Sequence, residues 1–275
     1  MKLHYGTSSW SEKSWKGSFY PKNIAPADML KYYSDHFNSV EADVTYYRIP
    51  SEQMVKNWHK RSPDHFILSA KFPRSIVHAG EDRLPDSKRL LNLDVIGDDC
   101  HNFLNVMSNL KEKCGPMILQ FPYFNKKVFA SPTPFFKKLN DFLSSLPNTF
   151  RYGVEIRNRH WINRDLIEIL NAHATSLVWV DIPYMPFPDA FPKMVNTVTG
   201  NFLYVRLIGD RKALEAKTKT FDRIVVDKTK SLRKWAQIIH NELNKVDDIF
   251  VYANNHYAGH GPATIRQIVS LLQDL

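Results

Sequence analysis

Acidic and basic side chains recur at the ends of short apolar stretches in this 275-residue sequence. The most concentrated example is the segment 151–161, in which Val154 and Ile156 alternate with Glu155 and Arg157. Alternate residues of an extended strand point to the same side, so Glu155 and Arg157 are predicted to share one face. A carboxylate beside a guanidinium can take part in proton transfer or hold an anion. This segment is therefore the candidate centre of a functional site.

Seven other apolar stretches end in polar residues in the same way. Those residues are Thr7 and Ser8, Glu41 and Asp43, Lys71, Gln120, Asp181, Arg206, and Asn254 with Asn255. In a barrel of parallel strands, the carboxyl ends of all strands meet at one mouth, where active sites lie. Burying an unpaired charge is costly, so such a ring must be paired internally or must await a ligand.

The elements that must position these side chains alternate between strands and helices. Strands are predicted over residues 3–8, 39–44, 66–72, 117–121, 152–157, 176–181, 202–208 and 249–254. Capping residues such as Ser51 and Asn163, followed by apolar residues at helical spacing, predict helices between them. The segment 182–201 contains four prolines, which predict a loop or a short helical turn instead of a sixth full helix.

Eight strands alternating with helices predict an α/β fold, a TIM (β/α)₈ barrel, as one domain over residues 1–275. The sixth helix of this barrel is predicted to be replaced or shortened by the proline-rich loop. An open doubly wound sheet is the alternative. The turn Gly6-Thr7-Ser8 lacks a glycine-rich dinucleotide pattern, and the sequence contains no phosphate-binding loop spacing, so nucleotide-binding versions of that sheet are disfavoured.

The composition is typical of a globular protein, with 43% hydrophobic and 24% charged residues, which disfavours disordered and fibrous classes. Lys and Arg outnumber Asp and Glu by 37 to 28, and the resulting charge of +9 favours anionic small molecules or nucleic acid as partners. No apolar stretch approaches the ~18 residues of a membrane span, and the sequence predicts a cytoplasmic protein without a membrane partner. Cys100 and Cys114 agree with a reducing compartment. The oligomeric state is left open.

The polar strand ends and their neighbours resemble the YecE-like family, which is also called domain of unknown function 72. The matching motifs are Gly6-Thr7-Ser8-Ser9-Trp10, Val40-Glu41 with Tyr46-Tyr47, Trp58 before Phe66 and Lys71, Gln120-Phe121-Pro122, Glu155-Ile156-Arg157 with Trp161, Asp181, Arg206 with Gly209, and Asn254-Asn255. They follow the family's order over nearly the whole chain. The resemblance implies a TIM barrel similar to sugar isomerases and abasic-site nucleases, in a family without a settled activity. Ser9 stands where glycine is usual and Asp43 where asparagine is usual, and the second departure adds a carboxylate.

These observations predict an enzyme, with hydrolysis as the first reaction class, that acts on an anionic, phosphate-bearing substrate at the mouth of the barrel. Glu155 and Glu41 are the predicted general acid and base, with Asp181 and Lys71 as further catalytic candidates. The predicted substrate-binding residues are Arg157, Arg206, Asn254, Asn255, Gln120, Ser8, Trp10 and Trp161. The glycine-containing turn 259–263 is either a phosphate site built on backbone amides or a plain turn.

Several alternatives remain open at this stage. A glycoside hydrolase would use Glu41 and Glu155 at about 5 Å for retention or ~6.5–9.5 Å for inversion. A nucleic-acid-binding protein without catalysis would carry a basic face around the mouth. Lys71 could act through a Schiff base. No histidine ends a predicted strand, so no metal site is assigned, and the cofactor is left open because Glu41, Asp43, Glu155 and Asp181 could together hold Mg²⁺ or Mn²⁺.

Overall fold

A computed structural model describes residues 1–81, 84–192 and 195–275 of the chain. Eight parallel strands form one sheet in the order β1-β8-β7-β6-β5-β4-β3-β2. The strands are β1 Lys2–Thr7, β2 Ser39–Ala42, β3 Ile67–Lys71, β4 Cys114–Gln120, β5 Tyr152–Glu155, β6 Ser176–Asp181, β7 Phe202–Leu207 and β8 Asp248–Ala253. This is a nearly closed barrel surrounded by helices, so the predicted TIM barrel is confirmed.

The helices lie between the strands and after the last one. They are α1 Met29–Ser34, α2 Val44–Tyr47, α3 Glu52–Arg61, α4 Arg74–Val77, α5 Leu93–Met107, α6 Pro132–Ser145, α7 Arg164–Ala172, α8 Arg211–Glu215, α9 Thr229–His240, α10 Asn255–Ala258 and α11 Gly261–Gln273. Ser51 and Asn163 cap α3 and α7 as predicted, each accepting a hydrogen bond from a backbone amide of the first turn. Between β6 and β7, the described residues contain a single 3₁₀ turn, Pro188–Ala190. The predicted loss of the sixth helix is therefore confirmed there, while residues 193 and 194 of that segment lie outside the described residues.

Two strands end two residues earlier than predicted. The strand predicted over 39–44 ends at Ala42, and the strand predicted over 152–157 ends at Glu155. In the first case the Asp43 amide donates to the Glu41 carbonyl at 3.0 Å, which turns the chain into α2. Asp43 and Arg157 therefore occupy loops just beyond the strand ends and are closer to the surface than strand residues would be.

The apolar residues form two cores, one between the sheet and the helices and a smaller one inside the barrel. The inner cluster consists of Ile118, Val178, Phe202, Tyr204, Phe250 and Tyr252. Side chains alternate across a strand, so Arg206 follows Phe202 and Tyr204 into the barrel at the upper end of β7. The inner core thus delivers a cation to the mouth of the barrel.

The barrel is closed between its first two strands by side chains. Within the described residues, β1 and β2 share no backbone ladder. The Asn38 amide group accepts from the backbone of Tyr5 and donates to that of Leu3, both at 2.8 Å. Nearer the mouth, the Tyr33 hydroxyl accepts a 2.6 Å hydrogen bond from the Thr7 amide. These bonds satisfy backbone groups that a ladder would otherwise use.

In the described part of the chain, no helix combines the length and apolar character needed to cross a membrane.

Candidate active site

Arg206 occupies the centre of the barrel mouth and joins two buried glutamates. Its Nε and Nη2 each donate at 2.8 Å to one carboxylate oxygen of Glu41. Its Nη1 donates to Glu155 and, at 2.7 Å, to Gln120. Tyr204 lies two residues before Arg206 on the same face of β7, and its hydroxyl donates to Glu41 at 2.8 Å. The three charged side chains are at most 2% exposed, so the network is a buried and internally paired one.

This pairing holds both glutamates in their ionised form. Burial by itself raises the pKa of Glu41, but the charges of Arg206 and Lys71 and the bonds from Arg206 and Tyr204 outweigh it and lower the pKa to about 2. Burial also raises the pKa of Glu155, but the charges of Arg206 and Arg157 and their hydrogen bonds outweigh burial and lower this pKa below its usual range. Neither group is therefore a proton donor near neutral pH.

Asp43 and Lys71 form an ion pair beside the buried network. The Lys71 ammonium lies 2.5 Å from Asp43 Oδ1 and donates to Gln120 Oε1 at 3.3 Å. Burial raises the pKa of Asp43 to about 6, with help from the charge of Glu41 and against the effect of Lys71 and Arg206. The Asp43 side chain is 26% exposed, whereas Lys71 is 6% exposed. Asp43 thus combines a raised pKa with a side chain that is partly exposed to solvent.

Arg157 and Tyr46 extend the site towards solvent. Arg157 Nε donates to Glu155 Oε1 at 2.7 Å, so the predicted pairing of these two residues is present. The Arg157 side chain is 23% exposed, and its terminal nitrogens make no hydrogen bond within the described residues. The Tyr46 ring lies 5.3 Å from the Lys71 ammonium. Burial raises the pKa of the Tyr46 hydroxyl, against the opposing effect of the charges of Arg74 and Arg157. The exposed rim of the mouth is therefore cationic and aromatic.

Ser8, at the end of β1, is 3% exposed, and its hydroxyl has no hydrogen-bond partner in the described part of the chain. Buried polar groups are nearly always hydrogen-bonded, so this hydroxyl has capacity for a water molecule or a ligand.

Asp181 lies outside this network, and the prediction that it joins the ring is not supported. One of its oxygens accepts from Trp235 at 2.6 Å, Tyr257 at 2.9 Å and Ser231 at 3.1 Å. Val178 belongs to the inner core, so Asp181, three residues later, points outward to α9 and α10. Asp181 holds these helices against β6.

The asparagines after β8 shape the backbone. Asn254 caps α10 by accepting from the His256 amide at 3.0 Å. Asn255 Oδ1 accepts from the Trp15 indole at 3.1 Å and from the Gly261 amide at 2.9 Å. The Ala263 amide donates to His260 at 3.2 Å. Amides of the turn 259–263 are therefore already paired, and the geometry favours a plain turn over a phosphate site.

The two predicted substrate-binding tryptophans pack against other aromatic residues. Trp10 meets Trp58 edge to face with ring centroids 5.3 Å apart. Trp161 stacks on Phe124 at 5.6 Å and an interplanar angle of 25°. Trp161 is 9% exposed, so it forms the base of a surface cavity rather than a free binding face.

The carboxylates considered for a metal ion do not form a ligand group. Among the residues that the structure describes, no three His, Cys, Asp or Glu side chains are arranged to hold a cation. The Schiff-base alternative also lacks support, because the Lys71 nitrogen contacts Asp43 and Gln120 rather than the apolar surroundings that activate such a lysine.

Sequence reasoning understated two residues of the site. Asp43 was predicted as an added carboxylate at a strand end and as a possible metal ligand but not as an acid or base, and Tyr204 was not predicted at all. The signal for Tyr204 was its spacing, because it lies two residues before Arg206 and therefore on the same face of the strand.

A comparison with known protein families places this geometry in context. The profile of the family described as "Protein of unknown function DUF72" matches residues 4–275. The chain belongs to the DUF72 family. This membership confirms the YecE-like resemblance.

Relatives and solved structures of the DUF72 family agree with this assignment. The UPF0759 protein YecE of Escherichia coli K12 is 31% identical over 157 residues, which cover 57% of this chain and 48% of that protein, about half its length. The UPF0759 protein YunF of Bacillus subtilis is 21% identical over 98% of this chain and 94% of its own. A DUF72 crystal structure from Thermotoga maritima superposes with a TM-score of 0.71 at 23% identity, covering 99% of this chain and all of that one. The structural match supports the barrel fold.

Proposed function

We propose that this DUF72 protein is an enzyme that uses acid–base catalysis, with hydrolysis as the reaction class, on a phosphate-bearing anionic substrate at the barrel mouth. The observation that carries the proposal is Asp43. Its pKa is raised to about 6, its side chain is 26% exposed, and its cationic partner Lys71 is 2.5 Å away. A general acid or base works best when its pKa lies near the operating pH.

The roles of the predicted catalytic residues change accordingly. Glu41 and Glu155 were predicted as acid and base, but both are held ionised by Arg206 and act here as positioning residues. Above pH 6, the Asp43 carboxylate accepts a proton from the attacking water as the new P–O bond forms. The P–O bond to the ester alcohol breaks, and the protonated Asp43 returns the proton to the departing alkoxide. The ammonium of Lys71 and the free nitrogens of Arg157 attract the substrate phosphate and the charge that develops on it. The Ser8 hydroxyl supplies a further hydrogen bond.

The two rival functions have weaker support. A glycoside hydrolase needs one carboxylic acid to protonate the leaving group, and neither Glu41 nor Glu155 is protonated near neutral pH. A nucleic-acid-binding face at the mouth would concentrate the cations there. Cations do line the rim of the mouth, but exposed lysines also occur on the helices between the strands, so the positive charge is not confined to the mouth. Those lysines are Lys31, Lys56, Lys60, Lys137, Lys230 and Lys234. A cytoplasmic location belongs to the proposal as well.

Turnover of phosphate esters tests the proposal. The wild type, Asp43→Asn and the matched control Asp35→Asn, an exposed residue at the end of α1, are assayed on p-nitrophenyl phosphate and bis(p-nitrophenyl) phosphate between pH 4.5 and 8. We expect hydrolysis that rises with an apparent pKa near 6 and that falls about 10²–10⁴-fold in Asp43→Asn only. Unchanged turnover in Asp43→Asn, or no turnover of either ester by the wild type, would overturn the assignment.

A further inference from the structure

Exposed aromatic side chains are concentrated in segments that follow strands. Of the Phe, Tyr and Trp residues that the structure describes, Tyr47, Tyr123 and Tyr184 are exposed. They follow β2, β4 and β6, so all three lie on the mouth side of the barrel, Tyr47 at the end of α2 and the other two in loops. Tyr123 is 59% exposed and Tyr184 50% exposed, which leaves much of each ring in contact with water. Exposed aromatic rings of this kind are favourable contact surfaces for a planar ligand.

Tyr123 and Tyr184 line one cavity of about 460 Å³. The cavity lies among the loops after β4, β5 and β6, and its volume falls in the range of small-molecule sites. Trp161 and Phe124, stacked at 5.6 Å, also line it. This stacked pair is buried, so the cavity lining combines two buried aromatic rings with two exposed tyrosines.

The charged side chains that line the cavity are cationic, and the Glu155 carboxylate contacts one of them, Arg157, from the buried network. Lys126, Arg157, Arg159 and His160 line it, and its lining contains no Asp or Glu. Lys126 makes no ion pair or hydrogen bond within the described residues, and the terminal nitrogens of Arg157 are equally free. An anionic group is therefore the complementary ligand.

The polar groups disfavour a ligand recognised mainly through hydroxyl groups. The Asn158 side chain is occupied, since its amide oxygen accepts from the Phe124 amide and its nitrogen donates to the Phe124 carbonyl, both at 2.8 Å. The lining therefore offers no carboxylate and no free amide side chain to the hydroxyl groups of a bare sugar. A planar ring that stacks on aromatic faces, joined to a phosphate, matches both the rings and the cations.

Arg157 connects this cavity to the proposed active site. Its Nε pairs with Glu155 of the buried network, while the residue also lines the cavity. We propose that the cavity holds the base of a nucleotide whose phosphate is drawn by Arg157 towards Asp43 and Lys71. The inference rests on the proposed function for the reaction, and it names the nucleotide as the substrate class of that site.

Equilibrium binding tests the inference separately from catalysis. Adenosine monophosphate, ribose 5-phosphate and inorganic phosphate are titrated calorimetrically into the wild type and into Asp43→Asn. We expect the mononucleotide to bind at least tenfold more tightly than ribose 5-phosphate in both proteins, because only the nucleotide has a base to stack. Equal affinity for the two ligands would overturn the inference. Preserved nucleotide preference without turnover of any ester would instead contradict only the proposed hydrolysis.

Matched variants locate the ligand. Tyr184→Ala should weaken nucleotide binding about tenfold, whereas Tyr47→Ala, which removes an exposed tyrosine outside the cavity, should not. Lys126→Ala should weaken binding of the nucleotide and of ribose 5-phosphate alike, whereas Lys127→Ala, which lines a separate cavity, should leave both unchanged. All four side chains are exposed, so circular dichroism should show wild-type folding. An effect of Tyr47→Ala equal to that of Tyr184→Ala would overturn the placement.

A single-stranded adenine hexanucleotide distinguishes a free nucleotide from a nucleic-acid strand. Both ligands carry the same base and phosphate chemistry. We expect the strand to bind no more than tenfold more tightly than the mononucleotide at 150 mM salt, because one cavity accepts one base. A larger preference with steep salt dependence would contradict a free nucleotide as the substrate.

Discussion

Arg206 donates to Glu41 and Glu155 from opposite parts of its guanidinium, and all three side chains are buried. Arg206→Met should therefore destabilise the protein by about 3–5 kcal/mol, because it leaves two buried carboxylates without their common partner. Urea unfolding measures the change. The control Arg211→Met removes an exposed pair with Glu215 on α8 and should cost less than about 0.5 kcal/mol. Equal losses in the two variants would show that the buried network stabilises the protein no more than an exposed ion pair does.

The depressed pKa of Glu41 makes stability depend on pH in a defined direction. Its folded pKa of about 2 lies below the ordinary value of 4.5, so its contribution is present above pH 4.5 and is lost as pH falls towards 2. The stability difference between the wild type and Glu41→Gln should shrink by about 3 kcal/mol across that interval. Urea unfolding between pH 2.5 and 6 measures it, with Glu52→Gln on the exposed face of α3 as control. A difference that stays constant with pH would contradict the ionised state of Glu41.

Residue by residue, sequence reasoning recovered most of the network but not the raised pKa of Asp43. Glu41, Lys71, Gln120, Glu155 and Arg206 meet as predicted, because parallel strands end at one mouth. Asp181 does not, because β6 is apolar on both faces and its sequence does not reveal which face points inward. Asp43 needed the structure, since its raised pKa results from burial and neighbouring charges that sequence spacing does not specify.

Close approach of β1 and β2 makes one glycine essential for barrel closure. A Cβ on Gly6 would lie 1.9 Å from the Ser39 carbonyl oxygen, so Gly6→Ala must separate the strands. We expect a loss of at least about 1–3 kcal/mol in the free energy of unfolding. Gly97 in α5 has nothing within 4 Å of an added Cβ, and Gly97→Ala should stabilise by up to about 1 kcal/mol. Chemical denaturation of both variants measures these opposite signs, and a neutral Gly6→Ala would contradict the described seam.

The long elements were predictable and the short ones were not. All eight strands and the long helices follow apolar periodicity and caps, such as Ser51 before α3. Helices α2, α4, α8 and α10 have only four or five residues each, too few to show a helical period. Contacts distant in sequence also hold them in place, as when His256 at the start of α10 meets Glu215 of α8.

The two ends of the barrel carry different sets of charged and aromatic side chains. At the amino ends of the strands, Asp248 accepts from Arg151 at 2.6 Å and lies 3.1 Å from the His4 ring nitrogen. The Arg151 guanidinium also lies 5.1 Å from the Phe250 ring, which closes this end. At the other end, the charged network is backed by the inner core and bordered by exposed aromatic loops. That end also carries the ion pair of Asp43 and Lys71 and the partly exposed Arg157.

The pKa of Asp43, followed by carbon-13 NMR of its carboxyl group, tests the central claim most directly. Asp43→Asn assigns the signal by removing it. The account predicts a titration midpoint near 6, a higher midpoint in Lys71→Met, and a lower one in Glu41→Gln, because Lys71 lowers this pKa and Glu41 raises it. A midpoint at the ordinary aspartate value of 3.8, unaffected by either substitution, would contradict the account.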